Sequence, residues 1–141
     1  MTMLQTDSER EVCVSGTYED LKAWQKAMDF AIDVYRATRE FPREEIYGLV
    51  TQLRRAAVSI ASNIAEGKGR FSDRELLYFL SNARGSLYEA QTQIVLARRL
   101  NLLGATGSEK LSSEAAEVGR LLNGLIRVLR AEEAKQTEHA A

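Results

Sequence analysis

The chain has 141 residues, with 19 Lys plus Arg against 20 Asp plus Glu for a formal charge of -1, and 45% hydrophobic residues. That length suits one domain able to bury roughly two-thirds of its unfolded surface, and the near-neutral balance gives no global signal for nucleic acid. A lone Cys13 excludes a cystine scaffold and points to a reducing compartment, while a lone His139 argues against imidazole catalysis or a His-rich metal site, so no cofactor is expected.

Residues 1–16 carry Asp7, Glu9 and Glu11 against Arg10, show no sustained periodicity, and read as a mobile acidic arm. They lack the basic start and apolar run of a secretion signal. No apolar stretch approaches the roughly 20 residues that span a bilayer, so a soluble, cytoplasmic protein with no membrane contact is expected. The first helical pattern runs from about Thr17 to Thr38, where Leu21, Trp24, Met28, Ala31 and Tyr35 recur at steps of three and four. Thr17 and Asp20 have capping-box spacing, and Pro42 disfavours helix in the residue before it.

After a connection containing Gly48, the stripe Leu49, Leu53, Ala56, Ala57, Ile60 and Ile64 predicts a second helix, stopped by Gly67 and Gly69. A third opens on Ser72 with Glu75 three residues on. Its face of Leu76, Phe79, Leu80, Ala83, Leu87, Ala90, Ile94 and Ala97 lasts to about Leu103, before Gly104. A fourth starts near Ser108, buries Leu111, Ala115, Val118, Leu122, Leu125 and Leu129, and fades after Arg130. Short connections between long helices favour antiparallel neighbours, so the fold is expected to be an all-α, up-down-up-down four-helix bundle over residues 17–131, followed by a polar tail at 132–141. Leu53, Ile60, Phe79 and Leu87 are its expected core, with Trp24 also in an apolar register.

Catalytic templates are sparse: no phosphate loop, nucleophile elbow, HExxH or paired cysteines. Gly67-Lys68-Gly69-Arg70 ahead of a helix start has two readings. It could cradle an anion with Lys68, Arg70 and Arg74, or it is a glycine stop before a capped start, the commoner use of such glycines. On the second helix, Arg55, Ser59, Ser62 and Glu66 cluster opposite the apolar stripe, with Asn63 beside them. Short polar side chains permit close helix approach, so Arg55, Ser59, Asn63 and Glu66 read either as a polar network between helices or subunits, or as an ordinary solvated face. Residues 36–74 carry eight cations and five anions, and Arg98-Arg99 add a further pair. This is a basic patch for phosphate backbones, or helix-end charge in a balanced protein. Tyr47 and Phe71, near helix starts beside arginines, could stack on bases, although turn packing is the commoner role.

Four blocks carry a family resemblance over about residues 18–130: Tyr18-Glu19-Asp20-Leu21-Lys22-Ala23-Trp24-Gln25-Lys26-Ala27; Phe41-Pro42 through Tyr47-Gly48-Leu49; Gln52-Leu53-Arg54-Arg55-Ala56-Ala57-Val58-Ser59-Ile60 into Asn63-Ile64-Ala65-Glu66-Gly67; and Tyr78-Phe79-Leu80 into Gly85-Ser86-Leu87-Tyr88-Glu89. These resemble the four-helix-bundle proteins encoded in intervening sequences of bacterial 23S ribosomal RNA genes. Those are related to accessory proteins of diversity-generating retroelements. The resemblance implies a ring-like homopentamer and, by analogy with the accessory proteins, a reverse-transcriptase partner and nucleic-acid binding. Under it, Arg55, Ser59, Asn63 and Glu66 become the expected oligomer or interhelix polar network. Arg54, Arg55, Lys68, Arg70 and Arg74 become the candidate RNA contacts. Two departures stand out: Ala61 occupies a position where many relatives have proline, and this chain is slightly acidic where the accessory proteins are strongly basic. The leading expectation is a non-enzymatic homopentameric scaffold that binds structured RNA; the alternative is a pentameric protein-interaction scaffold that touches no nucleic acid.

Overall fold

The computed structural model describes residues 16–140, with side-chain surroundings described through Glu138. The acidic arm expected over residues 1–16 thus falls, but for Gly16, outside the described residues, together with Cys13 and the side chain of His139. The described residues form four α-helices: α1 Lys22–Thr38, α2 Thr51–Lys68, α3 Asp73–Arg99 and α4 Ala105–Ala140. Each packs on the next, and α4 closes on α1. Cross-helix pairs fix antiparallel directions. Ser59 meets Ser86 while Gln52 meets Gln93 across α2 and α3. Lys26 meets Glu117 while Asp33 meets Lys110 across α1 and α4.

The expected apolar stripes of α2 and α4 are buried throughout. On α3 the face is buried except at Phe79, which is only half-buried and is corrected from core to seal. Its ring lies edge-on to Tyr78 at 5.2 Å and under the Arg70 guanidinium at 4.7 Å, where it closes the crossing of α2 and α3. Leu53, Ile60 and Leu87 are fully buried as expected.

The α1 face needs a larger correction. Its buried residues are Ala23, Ala27, Phe30, Ala31, Val34 and Thr38, whereas Met28 and Tyr35 are exposed. The buried side is rotated about 90° from the expected one at 100° per residue. Both faces of α1 carry apolar residues, so periodicity alone had two solutions; the alanines won because they let α1 sit close against its neighbours. Trp24 is half-buried at the edge, with its ring against Tyr18 at 5.2 Å.

Capping follows the local chemistry, with shifts. The Thr17 amide donates to Asp20 at 2.9 Å, but this closes a single 3₁₀ turn, Tyr18–Asp20, ahead of α1. The Glu75 amide donates to Ser72 Oγ at 3.2 Å and starts α3. Gly104 was the expected stop of α3, yet the chain turns at Asn101 with φ 60°. There the Leu102 amide bonds the Ala97 carbonyl and the Asn101 amide bonds the Arg98 carbonyl, a Schellman closure in which Asn takes the left-handed position. Helix α4 continues to Ala140, past the apolar repeat that fades at Arg130.

Candidate nucleic-acid interface

Antiparallel packing sorts the loops into two ends. The α1–α2 and α3–α4 connections share one end, here called the elbow end; the α2–α3 connection lies at the other, beside the start of α1 and the last turns of α4. The candidate contacts are therefore split. Arg54 and Arg55 stand at the elbow end, while Lys68, Arg70 and Arg74 stand about 20 Å away along α2, at 1.5 Å per residue.

Charge differs sharply between these ends. At the elbow end, residues 36–55 and 95–110 carry eight Lys or Arg against four Glu, with two of the eight, Arg36 and Lys110, held by Asp33. At the opposite end, residues 18–26, 66–75 and 127–138 carry eight of each sign. Arg39, Arg43, Arg55, Arg98 and Arg99 are exposed, and none is paired with a carboxylate among the described residues. Arg54 is already engaged: Nε donates to Thr38 Oγ1 at 2.8 Å, Nη2 donates to the Tyr35 carbonyl at 3.3 Å, and the guanidinium lies 4.5 Å from the Tyr35 ring centroid. It closes the C-terminal carbonyls of α1, where a cation is favoured.

In the loop at 67–70 the amides of Gly69 and Arg70 are used by the end of α2: the Gly69 amide bonds the Ala65 carbonyl at 3.2 Å and the Arg70 amide bonds the Gly67 carbonyl at 3.1 Å. Arg70 donates to Glu66 at 2.9 Å. Gly67 itself lies inside α2, where a Cβ would come 2.7 Å from Phe79 Cβ. Lys68 is half-buried and Arg74 is exposed.

Of the polar set on α2, the structure joins Ser59 to α3 and Asn63 to Ser59 within α2. Ser59 Oγ lies 2.8 Å from Ser86 Oγ, and Asn63 Nδ2 donates to the Ser59 carbonyl and hydroxyl at 2.8 and 3.0 Å. Glu66 turns to Arg70 instead, and Arg55 has no partner among the described residues. Sequence reasoning missed Arg39, Arg43 and the pair Arg98-Arg99 as one surface, because only the fold brings 36–55 beside 95–110. Of the two readings open for Tyr47 and Phe71, the structure does not bear out turn packing, the commoner one: they are 96% and 104% exposed.

A separate cluster lies between α1 and α4. The half-buried carboxyls of Asp33 and Glu114 face each other, with Arg36 at 3.4 Å and Lys110 at 3.8 Å from Asp33. Burial, then the hydrogen bond and charge of Asp33, push Glu114 up to about 7; the hydrogen bond from Glu114 holds Asp33 below the usual carboxylate range. A raised folded-state pKa gives stability that is complete below the unfolded value and lost as pH rises through the folded one. The Glu114 contribution is therefore present near pH 4.5 and lost as pH passes about 7. Asp33 works oppositely, contributing above its usual value and losing the contribution as acid protonates it. Urea midpoints are expected to fall between about pH 4.5 and 7 and then level off, and Glu114→Gln to flatten that slope; an equally steep fall in the variant would assign it elsewhere.

A groove on the α1–α2 face is apolar. Met28, Ile32, Tyr35 and Val58 stand exposed around Ala31 and Ala61, with Arg36 and Arg39 on its rim. No described helix is long and apolar enough to cross a membrane.

The model of the 23S rRNA-intervening sequence protein family matches residues 19–124 of the chain. No curated protein matches it. Among solved structures, the chain is similar to a protein of unknown function from the S23 ribosomal protein family of Bacteroides thetaiotaomicron, with 20% identity and a TM-score of 0.67 over 74% of this chain and 97% of that one. At that identity the likeness is one of fold.

Proposed function

Because the chain belongs to the 23S rRNA-intervening sequence protein family, we propose that it is a non-enzymatic helical scaffold, assembled as a ring-like homopentamer, that binds structured RNA through the elbow end of its bundle. The observation carrying this reading is the charge polarity: eight cations against four anions at one end, eight against eight at the other. Overall charge is -1, so attraction for phosphate has to be local, and the unpaired Arg39, Arg43, Arg55, Arg98 and Arg99 supply it. In a symmetric ring the patch repeats, and modest contacts gain by avidity. Relative to the sequence reading, the contact surface moves away from Lys68, Arg70 and Arg74, whose end is electrically balanced.

A labelled, structured 23S rRNA fragment titrated with the sized oligomer tests this. Binding near physiological salt is expected to be micromolar or tighter, with log K falling linearly in log salt by about 0.9 per phosphate neutralised. Arg98→Glu/Arg99→Glu should weaken it at least about tenfold in a site repeated by symmetry, whereas Lys68→Glu/Arg70→Glu should change it little. Equal losses from both pairs would remove the polarity argument.

The α1–α2 groove favours a second reading, a protein-interaction scaffold without nucleic acid. Four large apolar side chains exposed together, Met28, Ile32, Tyr35 and Val58, suit a subunit or partner contact such as the reverse transcriptase implied by the resemblance. A flat titration at low salt would leave this reading standing.

A further inference from the structure

Three features meet at the α1–α2 connection that RNA binding through surface arginines does not require. The first is a groove of about 530 Å³ lined by Thr38, Arg39, Phe41, Arg43, Ile46, Val50, Thr51 and Arg54, with three arginines and no carboxylate among its lining residues. The second is Arg54, held rigid in that wall by Thr38, the Tyr35 carbonyl and the Tyr35 ring. These contacts use Nε and Nη2, and the Nη1 side keeps its donors. The third is Tyr47, directly after the groove residue Ile46 and 96% exposed. Its exposure follows from the backbone: residues 46–50 form a widened turn, kinked at Gly48 (φ -113°, ψ -112°), and the Thr51 hydroxyl bonds the Ile46 carbonyl. The irregular turn faces Leu49 and Val50 into the core and leaves Tyr47 outside.

Resting on the RNA reading above, we propose that this elbow takes one unpaired nucleotide of a single-stranded RNA segment, with its phosphate among Arg39, Arg43 and Arg54 and its base stacked on Tyr47. The chemistry divides accordingly. Planar guanidiniums suit phosphate oxygens, and the pinned Arg54 loses little freedom on binding. An exposed aromatic offers a face to any base, but only one that has left its stack. Phe71, the other fully exposed ring, fits this role less well, because the groove beside it sets one cation, Arg74, against Asp73 and Glu133, where the elbow groove has three arginines.

The test compares two fluorescein-labelled probes on the full oligomer, a 12-nucleotide oligouridylate and a 12-base-pair RNA duplex. Tyr47→Ala is expected to weaken the single strand by about 5- to 100-fold, to leave the duplex unchanged, and to keep the salt slope. Tyr47→Phe should retain binding, since the ring remains. Arg43→Glu should weaken both probes and lower the slope by about one phosphate's worth. The side chain of Tyr47 is solvated, so melts of its variants should match the parent and exclude misfolding. If both probes bind with salt dependence but Tyr47→Ala changes neither, or both equally, the stacking site is wrong while the RNA reading survives. If neither probe nor the structured fragment binds, both fall together.

Discussion

Ile60→Ala is expected to lower the unfolding free energy by about 2–5 kcal/mol, the range for removing a fully buried branched side chain and leaving a partial cavity. Ile60 lies in the middle of α2 with no exposed surface, on the side that meets the other helices. At about 4 °C per kcal/mol for a chain of this size, the melting midpoint should fall by roughly 8–20 °C. Phe79→Ala, by contrast, should cost only roughly 1–2 kcal/mol, because the ring is half-buried beneath Arg70 and much of its surface is wet in the folded state. That ordering inverts the usual rule that aromatic truncation costs most. Melts of the two variants at matched protein concentration decide it; a Phe79→Ala loss equal to that of Ile60→Ala would return Phe79 to the core.

Two helical glycines, Gly67 in the last turn of α2 and Gly85 inside α3, should respond in opposite directions to alanine. At Gly67 a Cβ would stand 2.7 Å from Phe79 Cβ and 3.0 Å from Leu76 Cδ1. The first contact is between atoms fixed to two backbones, so rotamers cannot relieve it and α3 has to move away. Overpacking of this kind costs about 1–3 kcal/mol, against a gain near 1 kcal/mol from alanine's helix propensity. The net expectation for Gly67→Ala is a loss of about 1–2 kcal/mol, with Gly67→Val worse. At Gly85 a Cβ meets nothing within 4 Å, so Gly85→Ala should gain roughly 0.5–1 kcal/mol in the protomer. Denaturant titrations read both, with sedimentation of each variant alongside. If the chain assembles as proposed and Gly85→Ala instead lowers its sedimenting mass, the open flank of α3 is occupied by a neighbouring subunit.

The charge polarity and the Tyr47 elbow have different structural origins. The elbow is built within residues 38–54 by the kink at Gly48, whereas the polarity arises because antiparallel helices return distant segments to one end, so that 36–55 and 95–110 lie together. An electrostatic field depends on that spatial sum. Counts along the chain grouped residues 36–74 into one patch and so mixed the two ends of α2.

Much of the fold was legible in the pattern of residues. The stripes of α2 and α4, nearly all of α3, the Ser72 cap and the antiparallel order follow from 3.6-residue periodicity and short connections, which are local and survive any detail of packing. The phase of α1 was not legible, because Trp24, Met28 and Tyr35 on one side compete with Ala23, Ala27 and Phe30 on the other, and of the expected face only Leu21 and Ala31 are buried. Only the closeness of the neighbouring helices selects between them. Also hidden were the fate of Phe79, the αL role of Asn101 and the exposure of Tyr47. Phe79 depends on the arrival of Arg70 from the preceding loop, while Asn101 and Tyr47 depend on backbone angles at a helix end and a kinked turn, which apolar periodicity does not encode. Periodicity determines which elements form; burial, charge pairing and the position of the candidate site are properties of distances between elements, and these exist only once the chain is packed.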